Sequence, residues 1–500
     1  MNPSAETAPA PGSGSERAFF GHPAGLLTIF LLEMWERMSF YGMRALLILF
    51  LVEPAAHGGL ALDVRTAASI YGLYVGGTYI ACLPGGWIGD RVLGAKRTVL
   101  AGGVIITLGH ILLGLAATPK LFFLGLLVIV LGTGMLKTNA GALVAALYPE
   151  GGARRDAGFT IYYIGVNVGG MLGPLIAGAL AVRYGWPAGF FAAAVGMAAG
   201  VVLFLIGRRR LPNTGAKPDA PVSRGSVAIL VAGLAVLFVA VASMLTGAVA
   251  PDPTRLAQLA TEAVVGVALL FFVYLLAGAG LTAIQRQRVV VVIVLFVAST
   301  LFWAGFEQGG SSLNLFAERF TERHLGGHEV PAEWLQSLDS IFIILFGPVF
   351  SSLWLMLGRR HLDPPAGAKF ALGVGFMAAA FAVMASASHL IAGGAARVGM
   401  GWLIATYLLC TWGELSLSPV GMSAVSKLVP ERFTGQSIGI FFVSLSLGNL
   451  LAGRIAGGID PNRVGAMPGQ FMFIVWFCGI CAAALLVLLP LLRRWSHGAD

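Results

Sequence analysis

The chain has 500 residues, 57% of them hydrophobic and only 11% charged, where an ordinary soluble domain carries roughly 25% charged residues. That balance excludes a soluble globular protein. Apolar runs of about 20 residues recur along the whole length and fit an all-α integral membrane protein instead. The formal charge of +9 does not signal nucleic acid, because the basic residues stand in short clusters between apolar runs. Arg91/Lys96/Arg97, Arg154/Arg155, Arg208/Arg209/Arg210, Arg286/Arg288, Arg359/Arg360, Lys427/Arg432 and Arg493/Arg494 fall at alternate loops. This positive-inside pattern predicts a multi-pass protein of the cell membrane with both termini cytoplasmic.

In chain order, residues 1–20 are rich in Ala, Pro, Gly and Ser and predict a disordered cytoplasmic tail. The apolar run that follows is too long and too charged for a cleavable signal. Fourteen apolar runs of helical length are expected, at 25–52, 68–89, 98–117, 121–147, 157–182, 187–207, 226–250, 260–284, 289–316, 335–358, 368–392, 398–427, 435–457 and 471–492. A basic, Pro/Gly-containing stretch at 208–225 follows the sixth run and reads as a cytoplasmic linker. The two runs in 226–284 carry almost no charge apart from Glu262 and are expected to be peripheral. Setting them aside leaves one six-helix unit at 21–207 and a second at 285–494, followed by a short cytoplasmic tail at 495–500. Two such halves can rock about a midplane site. The 68 glycines favour close helix packing. Cys82, Cys410, Cys478 and Cys481 lie in apolar runs without framework or metal-ligand spacing, so packing is their expected role.

The first run is the unusual one. Glu33, Glu36, Arg37 and Arg44 put four formal charges in an otherwise apolar helix. With Phe40 and Tyr41 they share one stripe, because positions three, four, seven and eight apart lie on one face. Ionisable groups in hydrocarbon cost several kcal/mol, so this stripe must face a protein interior or an aqueous cavity. After the second run, Gly86, Asp90, Arg91 and Gly94 fall where glycines permit a tight turn and the charges can pair across helix ends. That segment resembles the loop signature of the major facilitator superfamily. In the fourth run Lys137 lies far from either basic end and calls for a carboxylate partner, with Glu33 or Glu36 as candidates. Tyr79, Tyr162, Tyr163 and Asn167 are individually ordinary structural hydrogen-bonding residues. Beside a lysine and an arginine they suit a peptide-like polar ligand.

The second half supplies Trp303 and Glu307 in the ninth run, Asp339 in the tenth, and Glu414 and Ser418 beside Pro419 in the twelfth. Proline there can break a helix and leave carbonyls facing a cavity. No Ser/His/Asp or metal-ligand constellation falls at midplane, which argues against an intramembrane hydrolase or any other enzyme.

Together, Glu33-x-x-Glu36-Arg37, Phe40-Tyr41-Gly42, Gly132-Thr-Gly-Met-Leu-Lys137, Phe159-Thr-Ile-Tyr-Tyr-Ile-Gly-Val-Asn167, Trp303-x-x-x-Glu307-Gln and Gly413-Glu414-Leu-x-x-Ser418-Pro look like the proton-dependent oligopeptide transporter family. The match spans both halves, and two extra helices between the halves are typical of its bacterial members. The resemblance implies a major facilitator fold of twelve core helices plus two. It further implies a symporter importing di- and tripeptides by alternating access, with the proton as coupling ion and no cofactor. Glu33, Glu36, Arg37, Lys137 and Glu307 would then couple to protons. Arg37, Tyr41, Tyr79 and Lys137 would hold the peptide carboxylate, and Asn167, Asp339, Glu414 and Ser418 would face its amino terminus. Phe40, Tyr163, Trp303 and Phe441 would wall the pocket, and Arg44 with Glu307 would form the extracellular gate. A monomer in the lipid bilayer is expected to suffice.

Some positions depart from the family pattern. Asp339 stands where Asn is usual, Thr138 where proline is common, and Phe441 where tryptophan is frequent. No histidine lies near Gly72, so His22 and His110 are read as interfacial or structural. The inventory of Glu33, Glu36, Glu307, Asp339 and Glu414 against Arg37, Arg44 and Lys137 leaves excess acid. A dry cavity should therefore retain some protons, and Asp339 is expected to titrate together with Glu414. The rival readings are the same fold carrying nitrate, an amino acid or a drug, and a membrane sensor that binds peptides without moving them.

Overall fold

The computed structural model describes residues 19–150, 152–212, 222–456 and 461–498. Most of the expected N-terminal tail, the middle of the 208–225 linker and the last two residues lie outside the described residues. Eleven spans are long and apolar enough to cross a membrane by length and composition. The helices run α1 (Ala24–Val52), α2 (Val64–Ile88), α3 (Ala95–Gly114), α4 (Pro119–Ala146), α5 (Gly152–Tyr184), α6 (Trp186–Gly207), α7 (Arg224–Thr246) and α8 (Pro253–Val273). They continue with α9 (Ala283–Phe306), α10 (Ser312–Phe320), α11 (Ser337–Arg359), α12 (Ala366–Ala392), α13 (Gly401–Leu428), α14 (Glu431–Ala456) and α15 (Met467–Ser496). The remaining long helices, α1, α2 and α13, fall below that apolarity because they carry charged, polar and small side chains. With α9 and α10 counted as one broken span, all fourteen expected runs are present among the described residues.

Two expectations are corrected. The ninth run is interrupted by a 3₁₀ turn at Glu307–Gly310, where two glycines weaken the helix. The eighth span begins earlier than expected, because Asp252 accepts from Thr254 N–H at 2.9 Å and Pro253 takes the first helical turn. It ends at a π-helical turn, Tyr274–Gly278.

Within the first half, α1 packs on α5 and α6, and α3 on α4. These contacts are close because glycines face backbone. A Cβ on Gly42 would stand 2.9 Å from Gly173 O, and one on Gly102 would stand 2.7 Å from Gly132 O. Gly102→Leu is therefore expected to cost about 1–3 kcal/mol through overpacking, visible as a lowered thermal midpoint in detergent. In the second half, α12 packs on α13 and α15, and α9 on α14.

The halves join from the end of the molecule where α1 terminates inward to about mid-helix. There Ser446 Oγ donates to Gly76 O (2.9 Å), Ser337 Oγ to Met171 O (2.8 Å), Trp334 Nε1 to Leu175 O (3.1 Å) and Asn314 Nδ2 to Ala45 O (2.8 Å). Short strands cover this end. β1 (Thr321–Glu322) pairs in parallel with β4 (Val398–Gly399), and β2 (His324–Leu325) forms a hairpin with β3 (His328–Glu329). Nearer the other end the halves part on one side only: Tyr163 of α5 faces Glu414 and Asp339 of the second half yet is 42% exposed, whereas α2 and α14 stay together as far as Leu83 beside Gly439.

The two additional helices differ from each other. None of the residues of α7 is buried, as expected of a peripheral helix. In α8, by contrast, Ala257, Thr261, Val264, Ala268 and Phe272 form a buried stripe against α2 and α14, one helix from each half.

Candidate functional site

The charged stripe of α1 faces inward. Arg37 Nε lies 2.5 Å from Glu36 Oε2 and 3.3 Å from Glu33 Oε1, all three side chains being buried. The Glu33/Arg37 spacing of four residues brings the pair onto one helical face, and the guanidinium sits 5.2 Å from the centre of the Phe40 ring. Tyr162 of α5 lies beside Glu33. Lys137 enters from α4, but its ammonium makes no ion pair with Glu33 or Glu36 among the described residues. Instead Nζ rests 3.9 Å from the centre of the Tyr79 ring. Arg37 has engaged both carboxylates. The expected Lys137 pairing is therefore not present in this conformation, and Glu33 Oε2, Glu36 Oε1 and Arg37 Nη2 are buried without a hydrogen-bond partner.

Two turns along α1, Arg44 is shared between halves. Its Nη2 is 3.2 Å from Glu307 Oε2, its Nε donates to Tyr71 Oη at 2.6 Å, and its guanidinium lies 5.4 Å from the Tyr41 ring centre. Glu307 reaches Arg44 because the 3₁₀ turn lets α9 and α10 change direction there. The turn is tied by Tyr407 Oη donating to Gly309 O (3.0 Å) and by Gln308 Nε2 donating to Ala304 O and Ala452 O (3.1 Å each). Gly310 has no space for a side chain, since a Cβ would stand 2.8 Å from Arg44 Nε.

A second acidic group lies across from this gate. Thr411 Oγ1 donates to Asp339 Oδ1 at 2.8 Å, and Glu414, one turn further along α13, is buried with Oε2 unpartnered. Asn167 donates to Tyr163 O at 2.9 Å, one turn back on α5. A small cavity touches Tyr41, Arg44, Asp339 and Tyr407 and so joins the gate to Asp339. Ser418 is half-buried in the next turn of α13. The expected break at Pro419 does not occur: α13 is one continuous helix through it, its flanking turns held by packing. Trp303 is buried with its ring 5.1 Å from Phe306, and Phe441 is buried against Gly421.

The loop motif falls at the parted end. Gly86 closes the last turn of α2 against Thr138, and Asp90 and Arg91 lie in a π-helical turn, Gly89–Leu93. Gly94 takes φ +79° to start α3, a conformation that disfavours any side chain. Asn139 Nδ2 donates to Gly85 O (3.1 Å), tying α4 to the same turn.

Several neighbours of the site were not singled out from sequence. Tyr71 is two turns from Tyr79 on α2 and Thr411 is three residues before Glu414 on α13. Those same-face spacings were the available signal, but short of the fold they do not separate core tyrosines and threonines from pocket ones. His22 bonds Tyr148 Oη at 2.8 Å, and His110 is fully buried with neither ring nitrogen partnered. Neither adjoins the charged stripe. No group of His, Cys, Asp or Glu among the described residues has the arrangement of a metal site.

A family model described as the POT family matches residues 96–465. A peptide transporter of Yersinia enterocolitica subsp. palearctica, YePEPT, is 39% identical over 97% of both chains. A di-/tripeptide transporter of Lactococcus lactis subsp. cremoris is 32% identical, covering 96% of this chain and 98% of its own length. Among solved structures, a mutant of peptide transporter POT in complex with alafosfalin superimposes with a TM-score of 0.89 at 36% identity, covering 96% of this chain and 97% of its own.

Proposed function

We propose, because the chain belongs to the POT family of proton-dependent oligopeptide transporters, that it imports di- and tripeptides together with protons by alternating access. The observation that carries this reading is the state of the α1/α4 cluster. A lysine without a carboxylate stands beside an arginine with a free nitrogen and two half-satisfied glutamates. Buried polar atoms left unpaired are expensive, so the cluster is matched to a ligand and protons that complete it. A peptide carboxylate would take Lys137 Nζ and Arg37 Nη2, with Tyr41 and Tyr79 alongside. The α-ammonium group would face Glu414 and Asp339, with Asn167 and Ser418 nearby. Cation at one end and carboxylates at the other select a zwitterion of limited length, while Phe40, Tyr163, Trp303 and Phe441 leave side-chain choice loose.

With both termini on the cytoplasmic side, the joined end faces outward and the parted end inward. Arg44 and Glu307 are then the extracellular gate. Protonating Glu307 releases Arg44, and the halves, 21–207 and 285–494, rock about the site. Nothing in this cycle requires a second subunit, and we take the functional unit as a monomer. Equilibrium binding of a labelled dipeptide to purified protein tests the cargo: unlabelled dipeptides and tripeptides should compete, and nitrate or free amino acids should not. Competition by nitrate alone would overturn the peptide reading.

Asp339, held by Thr411 within reach of Glu414, is proposed to titrate with it. Asp339→Asn keeps an acceptor for Thr411 but removes the charge, so uptake should show a displaced pH profile and several-fold weaker peptide affinity. An unchanged profile and affinity would remove Asp339 from the site.

A further inference from the structure

A cavity of about 540 Å³ lies on the flank of the second half, and none of its lining residues belongs to the peptide site. Its floor is Leu301 and Ala304 of α9, one wall is the last two turns of α14, and the other is the first half of α15. α15 is apolar enough to span a membrane and buries little of its length inside the protein, and Phe473, which lines the cavity, is 57% exposed. The cavity is therefore a groove open to the hydrocarbon of the bilayer.

The groove is graded along its length. Arg454, exposed in the last turn of α14, and Gln470 stand at the end nearest the membrane surface. Phe473 follows, and Leu301 and Phe477 form the deep end. That level is fixed by Cys478, whose Sγ lies 4.0 Å from Leu301 O. From Gly469 to Phe477 the helix rises about 12 Å at 1.5 Å per residue, most of the ~15 Å of hydrocarbon in one leaflet. Gly469 supplies width: a Cβ there would meet nothing within 4 Å, so the space beside it is empty of protein. Among the described residues lining the groove, Arg454 carries the charge and no carboxylate is present. A basic residue in a last turn also complements the helix dipole. That role needs neither the open space at Gly469 nor an apolar channel running from the guanidinium into the leaflet.

We infer that this groove binds one anionic phospholipid, its phosphate on Arg454 and one acyl chain laid along Phe473 and Phe477 toward Leu301. A guanidinium at the surface end matches a phosphate in charge and geometry. With no carboxylate among the described lining residues, the ammonium of a zwitterionic headgroup finds no partner, so a lipid of net negative charge is preferred. The floor and both walls belong to the second half, and the site is carried intact as the halves rock. That the leaflet is the outer one rests on the orientation proposed above.

Native mass spectrometry of the purified full chain tests the site, with palmitoyl-oleoyl phosphatidylglycerol and phosphatidylcholine added at equal concentration. The first lipid retained should be phosphatidylglycerol. Arg454→Gln should lower its occupancy roughly fivefold, as expected for one basic contact at a lipid surface, and abolish the preference over phosphatidylcholine. Arg454→Lys should keep that preference. Gly469→Trp, which fills the groove without displacing protein, should lower the occupancy of both lipids. Unchanged thermal midpoints in lipid-free detergent would show that these variants are folded. Equal retention of phosphatidylglycerol by the unsubstituted protein, Arg454→Gln and Gly469→Trp would mean annular lipid only and would overturn the proposal. This readout needs no peptide, so failure of the transport reading would appear separately, as absent peptide uptake.

Discussion

Glu307→Gln is expected to abolish proton-driven accumulation of a dipeptide in proteoliposomes while leaving exchange of labelled for unlabelled peptide near its original rate. Accumulation requires that the gate respond to a proton, whereas exchange requires only that the loaded carrier reach both sides. Among the described residues, its ion-pair partner is Arg44 of the other half at 3.2 Å. Breaking a buried pair leaves one charge uncompensated, at about 3–5 kcal/mol, enough to shift a two-state equilibrium by more than a hundredfold. Glutamine imitates the protonated acid permanently, so the switch is fixed in one setting. Tyr71, which accepts from Arg44 Nε at 2.6 Å, keeps the arginine from being stranded and lets the variant fold. Accumulation at the original level in Glu307→Gln would remove this pair from the coupling mechanism.

Lys137→Ala is expected to have the second large effect, on affinity as well as on coupling. Lys137, reaching the stripe from α4, makes no ion pair with a carboxylate among the described residues, its Nζ resting on the Tyr79 ring at 3.9 Å. A hydrogen bond to a charged group contributes about 1.5–3 kcal/mol, which corresponds to roughly 10–150-fold in peptide affinity. Dipeptide binding measured by calorimetry should weaken by that factor, and uptake should fall accordingly. Loss of uptake with unchanged affinity would mean that Lys137 serves the proton step alone.

The two predictions rest on unequal amounts of sequence information. Charges at 33, 36, 37 and 44 in an apolar run are readable because hydrocarbon tolerates them only when they face inward, and their spacing by itself puts them on one face of a helix. The Arg44–Glu307 pair came from family resemblance, and the structure brings the two together. What Lys137 touches was not readable. Local spacing says that a lysine needs a partner, but which of several acids reaches it depends on how α1 and α4 cross, and Arg37 competes for both candidates at shorter range. The break at Glu307–Gly310 was similarly hidden, since Gly309 and Gly310 sit within a span apolar enough to read as one helix. The wedging of α8 between α2 and α14 is a tertiary contact, invisible in a helix whose charges say only that it is peripheral to the polar path.

The most direct measurement is uptake of a radiolabelled dipeptide into liposomes containing the purified protein, with and without an inward proton gradient. A proton-coupled peptide importer should concentrate the label above its external level when the gradient is imposed, lose that concentration when a protonophore dissipates it, and be competed by an unlabelled tripeptide. Equilibration of the dipeptide to the same level with and without the gradient would contradict proton-coupled peptide transport.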